Sequence, residues 1–162
     1  MTNVSKIDNT IAKLSQEHKL IADYVAKFSK GKAEKDKTFF AQLNQFIGFL
    51  KKDLIKHFEL EEHVFFPAAI NGSVSYDTAL VVLGFQKEHG ILEKELEAIL
   101  SRENEIAPGK VDAALIRDLS SFFEKLKVHA KRELIELFPL IDENSRCKAL
   151  VKQYLDTEKA GP

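Results

Sequence analysis

Apolar residues recur along most of the chain at alternating steps of three and four, the spacing that lines one face of an α-helix. The first such seam is Ile7, Ile11, Leu14, His18, Ile21, Val25 and Phe28. The second is Leu43, Ile47, Leu50, Leu54, His57 and Glu61, flanked by Phe39, Phe46, Phe58 and Phe65. The third runs Val82, Gln86, His89, Glu93, Leu96 and Leu100, and the fourth Leu115, Leu119, Phe122, Leu126, His129, Glu133 and Glu136. Breaks at residues 29–37, 67–75 and 106–110 contain Gly31, Pro67, Gly72, Pro108 and Gly109, and Ser75 or Asp77 is placed to cap the third segment. The four segments are roughly 22 to 28 residues long, about 33 to 42 Å as helices. Connections this short favour antiparallel neighbours. The pattern therefore predicts an all-α protein, an antiparallel up-down-up-down four-helix bundle. A short fifth helix near residues 144–155 would lay Leu150, Val151 and Tyr154 against one end. Residues 1–156 read as one domain and 157–162 as a flexible tail.

Polar residues interrupt these seams in a repeated way. His57 and Glu61, with Pro67 beyond them, recur as His129, Glu133 and Pro139, and Gln16-Glu17-His18 recurs as Lys87-Glu88-His89. Residues four apart share a helix face, so each H-x-x-x-E presents an imidazole and a carboxylate in one direction. The repeat implies two helical hairpins related by a pseudo-twofold axis. With helices ending near residues 66 and 138, antiparallel packing brings His18, His57, His89 and His129 to one level, towards one end of the bundle.

Composition narrows the chemistry. Lys plus Arg number 24 against 25 Asp plus Glu, interspersed, so there is no basic stripe for nucleic acid and no polybasic membrane anchor. The single Cys147 has no partner for a disulfide or a CxxC motif. No apolar run approaches the roughly 18 residues of a membrane span, and the first ten residues lack a signal-peptide core. The expectation is a soluble, cytoplasmic protein that binds neither nucleic acid nor membrane.

Seven polar residues, His18, His57, Glu61, His89, Glu93, His129 and Glu133, thus occupy core positions, with no lysine or arginine among them to balance the carboxylates. Unpaired, each buried charge costs several kcal/mol, about the size of a whole domain's stability when summed. A bound cation compensates all of them. The donor set exceeds the needs of one tetrahedral zinc and suits two first-row metals, iron foremost, with carboxylates between them.

One histidine on the first helix, H-x-x-x-E with Phe65-Phe66-Pro67 on the second, Glu88-His89 on the third, and H-x-x-x-E with Phe138-Pro139 on the fourth resemble the hemerythrin-like HHE cation-binding family over about residues 7–140. The resemblance implies a non-haem di-iron centre, oxo- or hydroxo-bridged, with Glu61 and Glu133 bridging, His18 and His57 on one iron, and His89 and His129 on the other. It implies dioxygen, nitric oxide or peroxide as the small ligand. Oxygen-carrying members use a further histidine on the third helix and H-x-x-x-x-D on the fourth; this chain has Glu93 and Glu133. That carboxylate-richer set resembles members that handle nitric oxide or peroxide, sense iron or oxygen, or repair iron centres. Nitric oxide reductase or peroxidase-like and catalase-like turnover, and an iron- or oxygen-sensing module acting through a partner, all remain open. An electron donor or signalling partner would act in trans.

Other residues receive plainer readings. Glu93 belongs to the seam, but it can also turn to Lys94 or Arg102 or hydrogen-bond a ligand histidine. Glu62, five residues after His57, falls about 140° from it and reads as surface charge. His63 reads as exposed, Tyr24 as flanking, and Glu136 as either a support to the ligands or the bundle end. Phe58 and Phe122 would keep water from the metals. Gly90 marks either a passage or close helix packing.

Overall fold

Helix ends follow from side chains that take up free amides and from residues too bulky or too rigid to continue. The computed structural model describes residues 4–159, with side chains from Asp8 onward. The side chain of Ile7 in the first seam and residues 160–162 of the expected tail therefore lie outside what is described. Helix α1 spans Val4–Gly31. It stops where a Cβ on Gly31 would come 3.0 Å from the Phe39 ring. Asp36 opens the helix that starts at Lys37 by accepting the amide of Phe39 at 2.7 Å, and Asp112 opens the one that starts at Ala113 by accepting that of Leu115 at 2.7 Å. Each of these caps contributes about 1 kcal/mol.

Helix α2 covers residues 37–73 and passes through two wide π turns, Leu50–Leu54 and Glu61–Phe65. Helix α3 is Tyr76–Leu100. A 3₁₀ turn, Glu103–Glu105, precedes α4, residues 113–142, which holds its own π turn at Glu133–Leu137. Helix α5 is Ser145–Lys159, so it takes in the first three residues of the expected tail, 157–159. Every regular element among the described residues is helical.

The prolines do not end the second and fourth helices, as the sequence reading assumed. Pro67 and Pro139 lack an N–H, and their rings would strike the carbonyl one turn back in a plain α-helix. In both places the preceding turn is widened instead: the amide of Phe66 reaches the carbonyl of Glu61, and that of Phe138 reaches Glu133. The helices then continue to Ser73 and Asp142.

A second difference concerns α3. Its buried face is Thr78, Val82, Phe85, His89, Leu92, Leu96 and Ile99. The expected seam shared Val82, His89 and Leu96 but took Gln86, Glu93 and Leu100. Gln86 is exposed, and Glu93 and Leu100 are half-buried. Both orders of three and four fit a helix; the one that buries Phe85, Leu92 and Ile99 avoids desolvating a carboxamide and a carboxylate.

Helix α1 packs on α2 and α4, α3 packs on α4 and on the last part of α2, and α5 lies mainly on that last part. A Cβ on Gly72 would lie 2.8 Å from the Cα of Cys147, which is why glycine stands where α2 meets α5. On α5, Cys147, Val151 and Leu155 are buried, with Leu150 and Tyr154 packed beside them. Two apolar clusters result. One includes Ile21, Leu54, Phe58, Leu92 and Leu126; the other includes Leu14, Phe65, Phe85, Phe138 and Val151. The polar seam residues lie between them. Because α2 and α4 continue past their prolines, this layer has apolar core on both sides and does not sit at the end of the helices. No helix among the described residues is long and apolar enough to cross a membrane.

Candidate metal centre

Four helices each send a histidine into the layer between the clusters: His18 from α1, His57 from α2, His89 from α3 and His129 from α4. Glu61 and Glu133 follow one turn after the α2 and α4 histidines, at the first residue of each π turn. All six are at most 3% exposed. They form two overlapping groups, His18, His57, Glu61 and Glu133, and Glu61, His89, His129 and Glu133. Within each group the donor atoms lie within 4.8 Å of one another.

The two carboxylates belong to both groups, one oxygen to each. Glu61 Oε1 is 3.0 Å from His57 Nε2 and 3.9 Å from His18 Nε2, while its Oε2 is 3.4 Å from His89 Nε2. Glu133 Oε2 is 2.8 Å from His18 Nε2, while its Oε1 is 3.1 Å from His129 Nε2 and 3.6 Å from His89 Nε2.

The outer nitrogen of every imidazole is occupied. Nδ1 of His57 donates to Glu17 Oε2 at 2.6 Å, Nδ1 of His129 to Glu88 Oε2 at 2.7 Å, Nδ1 of His89 to Glu62 Oε1 at 3.0 Å, and Nδ1 of His18 to the Leu14 carbonyl at 2.6 Å. Carboxylates and carbonyls only accept, so Nδ1 carries the proton. In the neutral ring Nε2 then offers a lone pair. Four lone pairs converge with two carboxylates. Nε2 of His89 and Nε2 of His129 face each other at 3.0 Å. Two lone pairs at that distance repel unless a proton or a metal ion lies between or beside them.

Both Glu61 oxygens and Glu133 Oε1 are buried with no hydrogen-bond partner. Such a burial costs several kcal/mol, about 3 or more per charge, without a cation. The site's negative potential also acts on its histidines. Burial alone would lower their proton affinity. At His57 the burial penalty is outweighed by Glu61, Glu17 and Glu133 acting together, which hold it up to about 10. The nearby Glu133 and Glu61 carboxylates do the same at His89, again to about 10, and Glu133 raises His129. Burial likewise pushes the two glutamates up, but the neighbouring imidazoles bring both below the ordinary carboxylate value, Glu133 well below it. The donor set thus suits a cation on physical grounds.

Aromatic rings wall the histidines. Phe58 stacks on His89 with centroids 3.9 Å apart, Phe66 lies 5.2 Å from it, Phe85 is edge-on to His129 at 5.6 Å, and Phe138 is edge-on to His18 at 5.4 Å. Phe122, expected beside the metals, packs on Phe123 in the apolar cluster.

The structure brings six of the seven expected ligands together and leaves Glu93 outside both groups, half-buried. Chain direction explains why. Cross-helix ion pairs run Glu88 to Arg132 and Glu95 to Lys125, so numbers rise along α3 as they fall along α4. The step from His89 to Glu93 therefore leads away from Glu133, towards Leu92 and Leu126. Glu136 is exposed and paired with Arg132 at 3.1 Å, so it supports no ligand. His63 is exposed, 3.8 Å from Glu158. Tyr24 stacks on Phe46 at 4.6 Å, in the apolar cluster. Gly90 is exposed and a Cβ there would meet nothing within 4 Å, so close packing does not explain it.

Glu62 corrects the sequence reading: taken as surface charge, it holds His89 from the neighbouring helix. Glu17 and Glu88 were also missed as supports. Their signal was present, since both Glu-His dipeptides repeat between the halves, each glutamate one residue before a seam histidine and on the edge of the seam facing the next helix.

No curated protein and no solved structure matches the chain. A family model does, that of the hemerythrin HHE cation-binding domain, over residues 9–141. With that match across most of its length, and with four inward imidazoles sharing two buried glutamates, the chain belongs to the hemerythrin HHE cation-binding family.

Proposed function

We propose that His18 and His57 hold one iron, His89 and His129 a second, and that Glu61 and Glu133 bridge them. The centre would take up a small oxidant, dioxygen, nitric oxide or peroxide. The observation that carries this is the division of the two carboxylates: each has one oxygen in each group of donors, and three of the four oxygens have no hydrogen-bond partner. A single ion would use one group and strand the other. Hard carboxylates mixed with imidazoles suit iron, and the family binds cations.

The same reading places α1 to α4 as an antiparallel up-down-up-down bundle. Cross-helix contacts support it: Tyr24 meets Phe46 while Phe28 meets Phe39 on α1 and α2, and the α3–α4 ion pairs run in opposite senses.

Bound iron would supply redox and Lewis-acid chemistry. The chain's own residues orient and exclude. Glu17, Glu62, Glu88 and the Leu14 carbonyl fix each imidazole's tautomer and direction. Phe58, Phe66, Phe85 and Phe138 keep the layer dry. With Glu93 outside the donor groups, six protein ligands serve two metals and leave coordination positions for an exogenous ligand.

The test is aerobic purification followed by iron reconstitution. About two irons per chain, with oxo-to-iron charge-transfer absorption, are expected for a bridged pair. His57→Ala and His129→Ala should each lose metal, and His63→Ala should not. A folded, colourless protein that refuses iron overturns the reading. Mixing the reduced protein with each oxidant then separates stable binding from turnover.

A further inference from the structure

Between α3 and α4 lies a groove of about 520 Å³. The buried Leu92 and His129 form its inner wall, and Ile91 and Val128, 44% and 54% exposed, form its outer one. His129 is also a donor of the metal centre, so groove and centre share a side chain. Glu88 and Glu124 stand at its margin with Lys125, whose ammonium is paired with Glu95. Glu88 is in turn paired with Arg132 and Glu124 with Lys127, so the margin is charge-balanced, while the walls are apolar and offer an anion no unpaired cation.

The chain contains its own comparison. In the first half, Leu20 and Ile21 occupy the places of Ile91 and Leu92, Glu17 that of Glu88, and His57 that of His129. The place of Val128 is taken by Lys56, which is exposed. A lysine stem lies along apolar surface and sets a charge over it. Of the two related faces, the one between α3 and α4 has valine there and leaves its apolar wall uncovered.

We propose that this groove is the entrance to the metal centre, that Val128 and Ile91 control passage, and that it admits a small neutral apolar molecule in preference to an anion or a strongly hydrated one. The inference rests on the function proposed above and narrows its ligand towards dioxygen or nitric oxide. An entrance has a kinetic signature distinct from a binding residue. Narrowing it slows arrival and departure by the same factor and leaves the equilibrium unchanged.

Two measurements test this. In the first, nitric oxide association and dissociation are timed on the iron-loaded, reduced wild type and on Val128→Trp, Val128→Lys and Lys56→Trp, with iron content and absorption recorded for each. Val128→Trp should slow both rates equally, by about tenfold. Val128→Lys should slow both by a smaller factor, and Lys56→Trp should match wild type. Wild-type rates in Val128→Trp, or an equal slowing by Lys56→Trp, overturn the entrance. In the second, xenon is added to the metal-free and loaded proteins and methyl resonances are followed by NMR. Shifts centred on Ile91, Leu92 and Val128, lost in Val128→Trp, support the groove; shifts elsewhere only, or none, overturn it. Failure to take up iron or to bind nitric oxide counts against the functional reading, and xenon still decides the groove.

Discussion

Glu62 on α2 accepts the Nδ1 hydrogen of His89 on α3 at 3.0 Å. The corresponding residue of the second half is Leu134, which has no acceptor, and His18 gives its Nδ1 hydrogen to the Leu14 carbonyl instead. The two repeated halves therefore hold their histidines differently. Replacing Glu62 with leucine copies the weaker arrangement onto His89, whose local carbonyl is not its present partner. Loss of such an orienting carboxylate typically weakens metal affinity by about 10 to 100-fold. Chelator competition on Glu62→Leu should show that loss, and Glu62→Gln, whose amide oxygen still accepts, should show less. Unchanged retention in Glu62→Leu would mean that His89 is oriented by packing on Phe58 alone.

How far such features could be read in advance depended on what fixed each of them. The repeat and the rhythm of threes and fours were enough for the helices and for the six side chains that converge in the buried layer, because burying an unpaired histidine or glutamate is costly enough to mark itself. The α3 seam was ambiguous, since Phe85 with Leu92 and Gln86 with Glu93 both satisfy the spacing; weighting each position by the cost of burial would have chosen the former. The π turns at Glu61–Phe65 and Glu133–Leu137 were not legible from periodicity, which presumes one helical pitch. Glu62 was misplaced because its role depends on the neighbouring helix, and a wheel drawn for one helix places its residues by their own axis only.

Glu93 separates the sequence reading from the structural one. It lies outside both donor groups, on the stretch of α3 that leads away from Glu133. Glu93→Gln should keep the full complement of metal and an unchanged absorption spectrum. Glu133→Gln, by contrast, removes a charge shared by both groups and should lose metal. Metal analysis of the two variants side by side decides the matter: depletion in Glu93→Gln would return that carboxylate to the centre.

Glycine substitutions should split by sign. Gly48, Gly84 and Gly90 lie inside helices, and a Cβ at each would meet nothing within 4 Å. Alanine there removes freedom from the unfolded chain without a clash, stabilising by about 0.5 to 1 kcal/mol each. At Gly72 the added carbon would lie 2.8 Å from the Cys147 backbone. Gly72→Ala should force α2 from α5 and destabilise by about 1 to 3 kcal/mol. Urea unfolding of the four variants checks both signs.

Metal-free and metal-loaded protein should respond differently to pH. Without metal, His57 and His89 are raised from 6.5 to about 10, and His129 is raised as well. A raised folded-state value means that the native protein holds protons the unfolded chain releases. Their stabilisation is complete below 6.5 and is lost as pH climbs towards 10. Glu61 and Glu133 are lowered from 4.5, so their contribution is present above that value and is lost as pH falls below it. The metal-free protein should therefore be most stable between pH 4.5 and 6.5 and melt at progressively lower temperature up to pH 10. A metal ion replaces those same protons at Nε2, so its binding strengthens as pH rises. The gap in melting temperature between loaded and stripped protein should widen across this range. A gap that stays constant with pH would mean that the histidines are already neutral in the stripped protein, with the buried carboxylates balanced by something other than their protons.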